Sequence, residues 1–277
     1  MAEEIYSEKF EPMKRLAWLS DIHLDSVQES RIAAFCKTVV AAGPDAVIIS
    51  GDIGEAHDCG RFLHMLEQTL ARPIYFVLGN HDYYGGSIER VRAATKTLVE
   101  KSKLLNWLTI AGPIALTDDT GILGHDGWAD ARAGDYAHST VMLNDYLLIK
   151  ELSGLSLPVR RKRLQALGDQ AAAYVRDNLP EALERFRKII FVTHVPPFQE
   201  ACWHMGKTSG DDWLPHFTCQ AAGQALLAAM RARPDRDMTV LCGHTHSSGF
   251  VRMLPNLEVY TGSAEYGAPV IQRMIEI

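Results

Sequence analysis

The sequence predicts an α/β fold, because short apolar segments alternate with amphipathic helical segments along the chain. Helical patterns over residues 28–42 and 60–70 separate the first three apolar segments, which indicates a β-α-β-α-β unit. Such a unit places its strands parallel and joins them by right-handed crossovers. Five apolar segments are followed directly by ligand-type side chains, and they are residues 16–19, 46–49, 74–78, 189–192 and 239–241. We therefore expect a functional site at the carboxyl ends of the strands.

The remaining elements are predicted from the same two patterns, apolar residues every three to four positions for a helix and short apolar or alternating segments for a strand. Further helices are expected at residues 87–101, 157–186 and 220–232. Pro180 is expected to kink or divide the second of these helices. Further strands are expected at residues 108–111, 114–117, 121–123, 250–253, 257–261 and 270–277. Gly, Pro and Asp residues separate the three pieces before residue 124, which favours an antiparallel section there.

Length and composition favour a single domain. The chain has 277 residues, of which 47% are hydrophobic, and this is enough apolar material for a sizeable core. We expect an N-terminal arm at residues 1–14 and one domain at residues 15–277. Loop or cap insertions are expected near residues 124–156 and 196–217. No stretch rich in Pro, Gly and Ser divides the sequence into parts.

Charge and cysteine content argue against several classes of protein. The formal net charge of -6 does not indicate a basic surface that would bind nucleic acid or an anionic membrane. The N-terminal residues lack the apolar region of a signal peptide, and no apolar segment is long enough to span a bilayer. The five cysteines are scattered and form no Cys-x-x-Cys pair, so we expect them to be reduced and mostly buried. A soluble, cytoplasmic protein is the resulting prediction.

Side chains with nitrogen and oxygen ligand atoms are concentrated just after the predicted strands. The seven candidate metal ligands are Asp21, His23, Asp52, Asn80, His194, His244 and His246. Residues two apart in an extended backbone point the same way, so each Asp-x-His or His-x-His pair is expected to bind together. Seven ligands exceed the needs of one tetrahedral ion, and two divalent ions that share a carboxylate fit better. Mn, Fe, Zn, Co and Ni all accept such mixed ligands.

A site with two metal ions suits the hydrolysis of phosphate esters. Two ions about 3.5–4 Å apart hold a bridging hydroxide as nucleophile and neutralise the phosphoryl oxygens during in-line displacement. The expected partner is therefore a small-molecule or protein phosphate ester. A single-zinc hydrolase of the metallo-β-lactamase type is disfavoured, because it requires Asp-His after the His-x-His pair, where this sequence has Ser247 and Ser248.

The order of these motifs resembles that of the calcineurin-like metallophosphoesterases. Asp-x-His, Gly-Asp, Gly-Asn-His-Asp, a lone His and Gly-His-x-His occur in this order between residues 16 and 262. The resemblance implies a sandwich of two mixed β-sheets flanked by helices, with four layers in the order αββα. It also implies two groups of metal ligands with Asp52 as the bridge between them. One group is Asp21, His23 and His246, and the other is Asn80, His194 and His244.

The resemblance also implies catalytic roles in the Gly-Asn-His-Asp motif. His81 is expected to face the substrate, where it protonates the leaving oxygen or stabilises the phosphoryl charge. Asp82 is expected to orient His81. Phosphomonoesters and phosphodiesters suit the same ligands, and we favour a monoester with a diester as the alternative. A non-catalytic scaffold of the same fold is less favoured, since no ligand is missing.

Two loops supply candidate substrate contacts. The candidates in the first loop are His125, Trp128 and Arg132, and those in the second are His204 and Lys207. A bidentate guanidinium at Arg132 suits a phosphate group. Each loop has an alternative interpretation without substrate contact. The first would be a salt-bridged loop that packs its own tryptophan, and the second would be a plain surface loop.

Overall fold

Two mixed β-sheets form the centre of the structure, a computed structural model that describes residues 14–277. The predicted N-terminal arm, except for Lys14, lies outside the described residues. The strands are β1 (Arg15–Leu19), β2 (Ala46–Ser50), β3 (Ile74–Val77), β4 (Leu105–Trp107), β5 (Ile114–Ala115), β6 (Thr120–His125), β7 (Lys188–Thr193), β8 (Trp203–His204), β9 (Lys207–Thr208), β10 (Asp237–Cys242), β11 (Gly249–Leu254), β12 (Leu257–Thr261) and β13 (Arg273–Glu276). The α-helices are α1 (Glu29–Ala41), α2 (Cys59–Leu70), α3 (Ile88–Lys101), α4 (Leu108–Ala111), α5 (Asp145–Leu148), α6 (Leu157–Arg185), α7 (Leu214–Phe217) and α8 (Gln220–Ala232).

Both large sheets have a parallel centre, with antiparallel strands at one edge of the first sheet and at both edges of the second. The first sheet has the order β13-β1-β2-β3-β4, with β1 to β4 parallel and β13 antiparallel to β1. The second sheet has the order β11-β12-β10-β7-β6-β5, with β12 to β6 parallel. Its edge strands, β11 and β5, are antiparallel to their neighbours. The antiparallel section predicted before residue 124 therefore consists of β5 and β6.

Alternation along the strands divides the core into layers. In β1, Leu16 and Trp18 lie in the core between the two sheets, whereas Ala17 and Leu19 lie in the core formed with the helices of the first half. Phe191 of β7 lies in a third core, which packs the second sheet against α6 and α8. Successive strand residues point to opposite faces, so each central sheet is buried on both sides. The predicted four-layer αββα sandwich is confirmed.

Loops from both sheets are hydrogen-bonded to one another at one edge of the sandwich. His194, which follows β7, donates from Nδ1 to the carbonyl oxygen of Ser50 at the end of β2, at 2.9 Å. The amide of Asp21, which follows β1, donates to the carbonyl oxygen of Gly51 at 3.1 Å. The amide of Gly243, which follows β10, donates to the carbonyl oxygen of His194 at 2.9 Å. Asn80, which follows β3, lies 2.9 Å from His194, so the predicted meeting of five strand ends from two sheets is present.

One predicted strand is a helix, and the division considered for the helix at Pro180 is absent. Residues 108–111 form helix α4 and not a strand, because a four-residue apolar segment fits either period and the burial of Leu108 between the sheets decides its shape. Gly112, with φ of 67°, follows the end of this helix. Pro180 does not divide α6, which runs without a break from Leu157 to Arg185.

The five cysteines are free thiols and all are buried, as predicted. Burial raises the pKa of all five thiols, and the pKa values of Cys202 and Cys219 rise to about 12. Within residues 14–277, no helix combines the length and the apolar character needed to cross a membrane.

Candidate metal centre and active site

The backbone at the strand ends adopts a conformation that few residues tolerate. Eight non-glycine residues in the described part of the chain have positive φ, and five of them are candidate metal ligands. These five are Asp21, His23, Asp52, His244 and His246. A left-handed conformation costs a non-glycine residue of order 1–3 kcal/mol and is concentrated at functional sites. The prediction that the Asp-x-His and His-x-His pairs have an extended backbone is therefore wrong. Sharp turns of the backbone set the directions of these side chains.

Three candidate ligands, here called the Asp21 group (Asp21, His23 and His246), lie beside Asp52. The ligand atoms of these four side chains are all within 4.8 Å of one another. Nε2 of His23 is 3.3 Å from Nε2 of His246 and 3.7 Å from Oδ2 of Asp52. Nε2 of His246 is 3.5 Å from Oδ1 of Asp21. The cluster combines two nitrogen and two carboxylate ligands, a set that divalent transition metals accept.

The other three candidate ligands, here called the Asn80 group (Asn80, His194 and His244), lie near the second oxygen of Asp52. Oδ1 of Asp52 is 3.3 Å from Nε2 of His194. Oδ1 of Asn80 is 2.9 Å from Nε2 of His194 and 2.9 Å from Nδ1 of His244. The two carboxylate oxygens of Asp52 therefore face different groups, which is the arrangement that a bridging ligand requires.

Two lone pairs face each other within the Asn80 group. Nε2 of His244 lies 2.9 Å from the carbonyl oxygen of His216, which only accepts, so this nitrogen carries the ring proton. Nδ1 of neutral His244 therefore presents a lone pair to Oδ1 of Asn80. The amide nitrogen of Asn80 donates to Asp145 at 2.8 Å, so its oxygen is the atom that faces the histidine. The resulting contact at 2.9 Å has no proton to stabilise it, and a cation would do so.

The distances within both groups fit metal coordination. Two ligand atoms about 2.1 Å from one ion are about 3.0–3.4 Å apart at octahedral and tetrahedral angles. Distances in the Asn80 group run from 2.9 Å to 3.3 Å when Asp52 is included. Three contacts around the Asp21 group are between 3.3 Å and 3.7 Å, and all four ligand atoms lie within 4.8 Å of one another, so this group is slightly wider than the Asn80 group. The residues present therefore fit two ions that share Asp52.

The electrostatics of the site favour positive charge beside Asp52. Burial by itself would lower the pKa of His194, but the Asp52 carboxylate in contact with it raises the value to about 10. Burial opposes the ionisation of Asp52, but the neighbouring histidines, His194 first, hold its pKa well below the usual range. Asp52 thus attracts a positive charge whether a proton or a metal ion carries it.

The two other buried histidines remain neutral. Burial, followed by the nearby His194, lowers the pKa of His244 to about 3. Burial lowers the pKa of His23 to about 4, even though Asp52 and Asp21 act in the opposite direction. Neutral imidazoles are the form that binds metal ions, so both side chains are ready to act as ligands without losing a proton.

A cavity of about 290 Å³ opens onto both groups. It is lined by Asp52, Asn80, His81, Tyr84, Met142, Leu143, Asn144, His204, Phe217, His244, Thr245, His246 and Tyr266. The ring of His81 lies 4.6 Å from that of His23 and 4.2 Å from that of Tyr84. No side chain in residues 14–277 hydrogen-bonds the His81 ring, so its nitrogens are free for a substrate.

The carboxylate of Asp82 does not contact the ring of His81. Its Oδ1 accepts from the amides of Ile53 at 2.9 Å and Gly54 at 3.0 Å, and its Oδ2 accepts from the amide of Gly79 at 2.7 Å. Burial, followed by the nearby Asp52, raises the pKa of Asp82 to about 7. The geometry corrects the expectation that Asp82 orients His81, because this carboxylate ties together the loops after β2 and β3.

The second loop contributes one of its two candidate substrate contacts to the cavity. His204 lines the cavity, and its Nδ1 lies 3.3 Å from the carbonyl oxygen of Thr245. Its ring also packs against Trp213, with centroids 5.2 Å apart. Lys207 is exposed in β9 and is not part of the cavity wall. The short β8-β9 hairpin thus reaches the cavity through His204.

The three candidates in the first loop have other partners. Trp128 is buried in the core and packs on Tyr83. His125 is buried, accepts from the amide of Gly127 on Nδ1, and its pKa is lowered by burial to about 4. Neither side chain lines the cavity, so the expectation of a substrate contact does not match their positions.

Arg132 is held by carboxylates away from the cavity. Its guanidinium donates to the buried Asp130 at 3.0 Å and to Asp169 at 2.7 Å. It also donates to the carbonyl oxygen of Gln165 at 3.3 Å. The expected phosphate-binding arginine is therefore corrected to a residue of the salt-bridged loop, which was the alternative.

Sequence reasoning missed three residues beside the site. Tyr84 and Asp145 hydrogen-bond the amide of Asn80, at 3.1 Å and 2.8 Å. Tyr266 lies over the Asp21 group, with its ring 4.5 Å from that of His23. A signal existed for Tyr266, which shortly follows the predicted strand 257–261. Asp145 carries no such signal, because it lies 65 residues from Asn80 in an irregular segment.

A family model described as calcineurin-like phosphoesterase matches residues 14–248. The chain therefore belongs to the calcineurin-like phosphoesterase family, and it is a phosphoric ester hydrolase. Among curated relatives, the uncharacterized protein L509 of Acanthamoeba polyphaga mimivirus is 22% identical over 201 residues. The matched region covers 68% of this chain and 70% of that protein.

Two solved structures are similar in fold along nearly the whole chain. A phosphopantetheinyl hydrolase from Mycobacterium tuberculosis superposes with a TM-score of 0.69 at 15% identity, covering 96% of each chain. A dimetal phosphatase from Danio rerio superposes with a TM-score of 0.55 at 14% identity, covering 94% of this chain and 90% of that one. At these identities the similarity concerns the fold.

Replacing Asp82 with Asn tests the role assigned to its carboxylate. An amide retains one accepting oxygen and places its NH2 group against a backbone N–H, so Asp82→Asn should lower the free energy of unfolding by about 1–3 kcal/mol. Urea unfolding of the metal-free protein measures this loss. The dependence of kcat on the leaving group should stay as in the unmodified protein. A greater loss of kcat on esters with poor leaving groups would instead indicate that Asp82 acts through His81.

Proposed function

We propose that the chain hydrolyses phosphate esters with two divalent metal ions, one held by the Asp21 group and one by the Asn80 group, with Asp52 shared between them. The observation that carries this proposal is the contact of Nδ1 of His244 with Oδ1 of Asn80 at 2.9 Å, where two lone pairs meet without a proton. A buried contact of this kind is costly unless a cation occupies the site. When bound, the two ions supply Lewis acidity that activates water and neutralises the phosphoryl oxygens.

His81 is proposed to act on the leaving group. Its backbone amide donates to Oδ1 of Asp52 at 2.9 Å, which fixes the residue beside the shared ligand. Its ring lies in the cavity wall between the rings of His23 and Tyr84. An imidazolium in this position can give its proton to the oxygen that departs from phosphorus. The same cation can stabilise charge on the phosphoryl group.

The cavity lining favours a phosphodiester over the monoester expected from sequence. A phosphomonoester carries about -1.5 to -2 charges near neutral pH, whereas a diester carries one. No lysine or arginine of residues 14–277 lines the cavity, so the metal ions and His81 would have to neutralise the whole charge. Leu143, Met142 and Phe217 instead give the cavity an apolar side, which suits an uncharged ester arm.

The nature of the physiological ester is part of this proposal. The structure from Mycobacterium tuberculosis is named for hydrolysis of a phosphopantetheinyl group. We include an ester of phosphopantetheine among the compounds to be tested, because such an ester combines a phosphate with a long arm. A cytoplasmic location and the identity of the metals, among Mn, Fe, Zn, Co and Ni, stay predictions from the sequence.

Replacement of Asp52 tests the shared ligand. Asp52→Ala removes one oxygen from each group, so we expect both ions to be lost together with nearly all activity. Elemental analysis after gel filtration measures the ions retained per chain. Asp237→Ala, at the exposed opposite end of β10, is the matched control and should retain two ions. Two ions retained by Asp52→Ala would rule out the bridge.

Replacement of His81 tests proton donation to the leaving group. His81→Ala should retain both ions and slow kcat by roughly 10²–10⁴ on esters with alkoxide leaving groups. The loss should shrink on p-nitrophenyl esters, because p-nitrophenolate departs without a proton. Kinetics on matched alkyl and p-nitrophenyl esters separate the two cases. An equal loss on both would assign His81 to charge stabilisation alone.

A homologous series of esters tests the proposed diester. Alkyl p-nitrophenyl phosphates with arms from methyl to hexyl should show kcat/KM rising about twofold to fourfold per methylene while the arm contacts the apolar side, because each buried methylene contributes about 0.8 kcal/mol or less. p-Nitrophenyl phosphate is the monoester control, and the phosphopantetheine ester extends the series. A higher kcat/KM for the monoester, with no effect of arm length, would instead support the phosphomonoester expected from the sequence.

A further inference from the structure

Asp145 is a buried carboxylate that contacts a candidate metal ligand from an unexpected part of the chain. It begins α5, in the segment between β6 and α6, and is 4% exposed. Its Oδ1 accepts from Nδ2 of Asn80 at 2.8 Å and from the hydroxyl of Tyr84 at 2.7 Å. The hydroxyl of Tyr84 also accepts from Nδ2 of Asn80 at 3.1 Å. These three side chains form a closed triangle of hydrogen bonds.

The orientation of the Asn80 amide decides what this side chain can do. With its oxygen toward His194 and His244, Asn80 offers a lone pair and can bind a metal ion. Turned over, the amide would offer an N–H group to Nδ1 of His244 and would hydrogen-bond it directly. The turned amide would satisfy His244 without any ion, and it would occupy the direction in which an ion is bound.

We propose that Asp145 is a positioning residue that holds the Asn80 amide with its oxygen toward His194 and His244, and thereby makes Asn80 a metal ligand. The inference rests on the proposed function, since it concerns the ion assigned to the Asn80 group. A carboxylate oxygen that receives two hydrogen bonds can only face the NH2 side of the amide. The tyrosine hydroxyl alone cannot make this selection, because a hydroxyl both donates and accepts.

Among residues 14–277, no other carboxylate hydrogen-bonds the Asn80 amide. Asp82 is bound to three backbone amides, and Asp52 faces the two ligand groups. Oδ1 of Asn80 lies 2.9 Å from each histidine nitrogen, and within the described residues the partners of the Asn80 amide nitrogen are Asp145 and Tyr84. Within the Gly-Asn-His-Asp motif, the side chain that a carboxylate orients is therefore Asn80 and not His81, and this carboxylate lies 65 positions away from Asn80 on a different element.

The test measures metal binding and does not depend on turnover. Chelated protein is titrated with Co²⁺, and the heat of binding and the visible absorption of bound Co²⁺ are recorded together. The unmodified protein should bind two ions. Asp145→Asn, nearly identical in shape, should weaken binding of one ion by about 10- to 100-fold, which is typical when a group supporting a ligand is changed. The second ion should bind within about twofold of the unmodified protein, since the Asp21 group makes no contact with Asp145.

Two controls separate positioning from general damage. Tyr84→Phe removes one partner of the Asn80 amide but keeps its bond to Asp145, so it should weaken binding of the ion held by the Asn80 group less than Asp145→Asn does. Asp130→Asn alters another fully buried carboxylate, whose partners are Arg132 and the amide of Ala221, and should leave both affinities unchanged. Circular dichroism and urea unfolding report whether each variant folds.

An exchange of the two residues gives a rescue. In the double variant Asn80→Asp with Asp145→Asn, the new carboxylate can accept from the new amide and still present an oxygen to both histidines. Tight binding of the ion held by the Asn80 group should return, also where Asp145→Asn alone fails to fold. Loss of this ion in the folded double variant, or unchanged binding of both ions in Asp145→Asn, would overturn the inference. Fewer than two ions in the unmodified protein would instead refute the proposed function and the inference with it.

Discussion

Oδ1 of Asn80 and Nδ1 of His244 meet with lone pairs facing each other, and the surrounding structure maintains this unfavourable contact. The carbonyl oxygen of His216 accepts a hydrogen bond from Nε2–H of His244, and that of Ser50 accepts one from Nδ1–H of His194. Burial then keeps His244 neutral by lowering its pKa. Folding therefore arranges the ligands at a cost in free energy before any cation binds. A cation then relieves the repulsion between the two lone pairs, as expected when metal binding is coupled to folding.

The close approach of the loops depends on two glycines. A Cβ atom on Gly79 would overlap the carboxylate of Asp52, and one on Gly243 would overlap that of Asp21. These positions therefore require the absence of a side chain, which explains glycine in Gly-Asn-His-Asp and in Gly-His-x-His. The left-handed backbone at neighbouring ligands has a conformational cost, and the buried sheets on both sides of the loops are what hold it.

The segment between β6 and α6 joins the metal ligands to the cavity wall. Met142, Leu143 and Asn144 line the cavity, and Asp145 directly after them holds the Asn80 amide. The orientation of one proposed ligand and the apolar side of the cavity thus depend on four consecutive residues. The candidate ligands at the strand ends follow the strands of the sheets, whereas this part of the cavity wall belongs to the segment between β6 and α6.

Much of the fold and of the candidate site could be predicted from the sequence, because both rest on local patterns. Hydrophobic period located the central strands and long helices, and the order of short motifs located the seven ligand-type residues and His81. Residues 108–111 were misassigned since four apolar residues fit a strand or a helix equally well. The hydrogen-bond partners of Arg132 and of Asp82 could not be predicted either. A charged side chain binds the donors or acceptors that the fold places beside it.

The sequence by itself determined which residues stand at the ends of the strands and that they carry nitrogen and oxygen ligands. Only the tertiary structure decided which oxygen of Asp52 faces which group, and that Asp145 and Tyr84 hydrogen-bond the amide of Asn80. The reason is physical: the side chain a residue offers is a local property, whereas the hydrogen bond that orients it comes from a group distant in sequence, placed there by packing of the two sheets and the segment between β6 and α6.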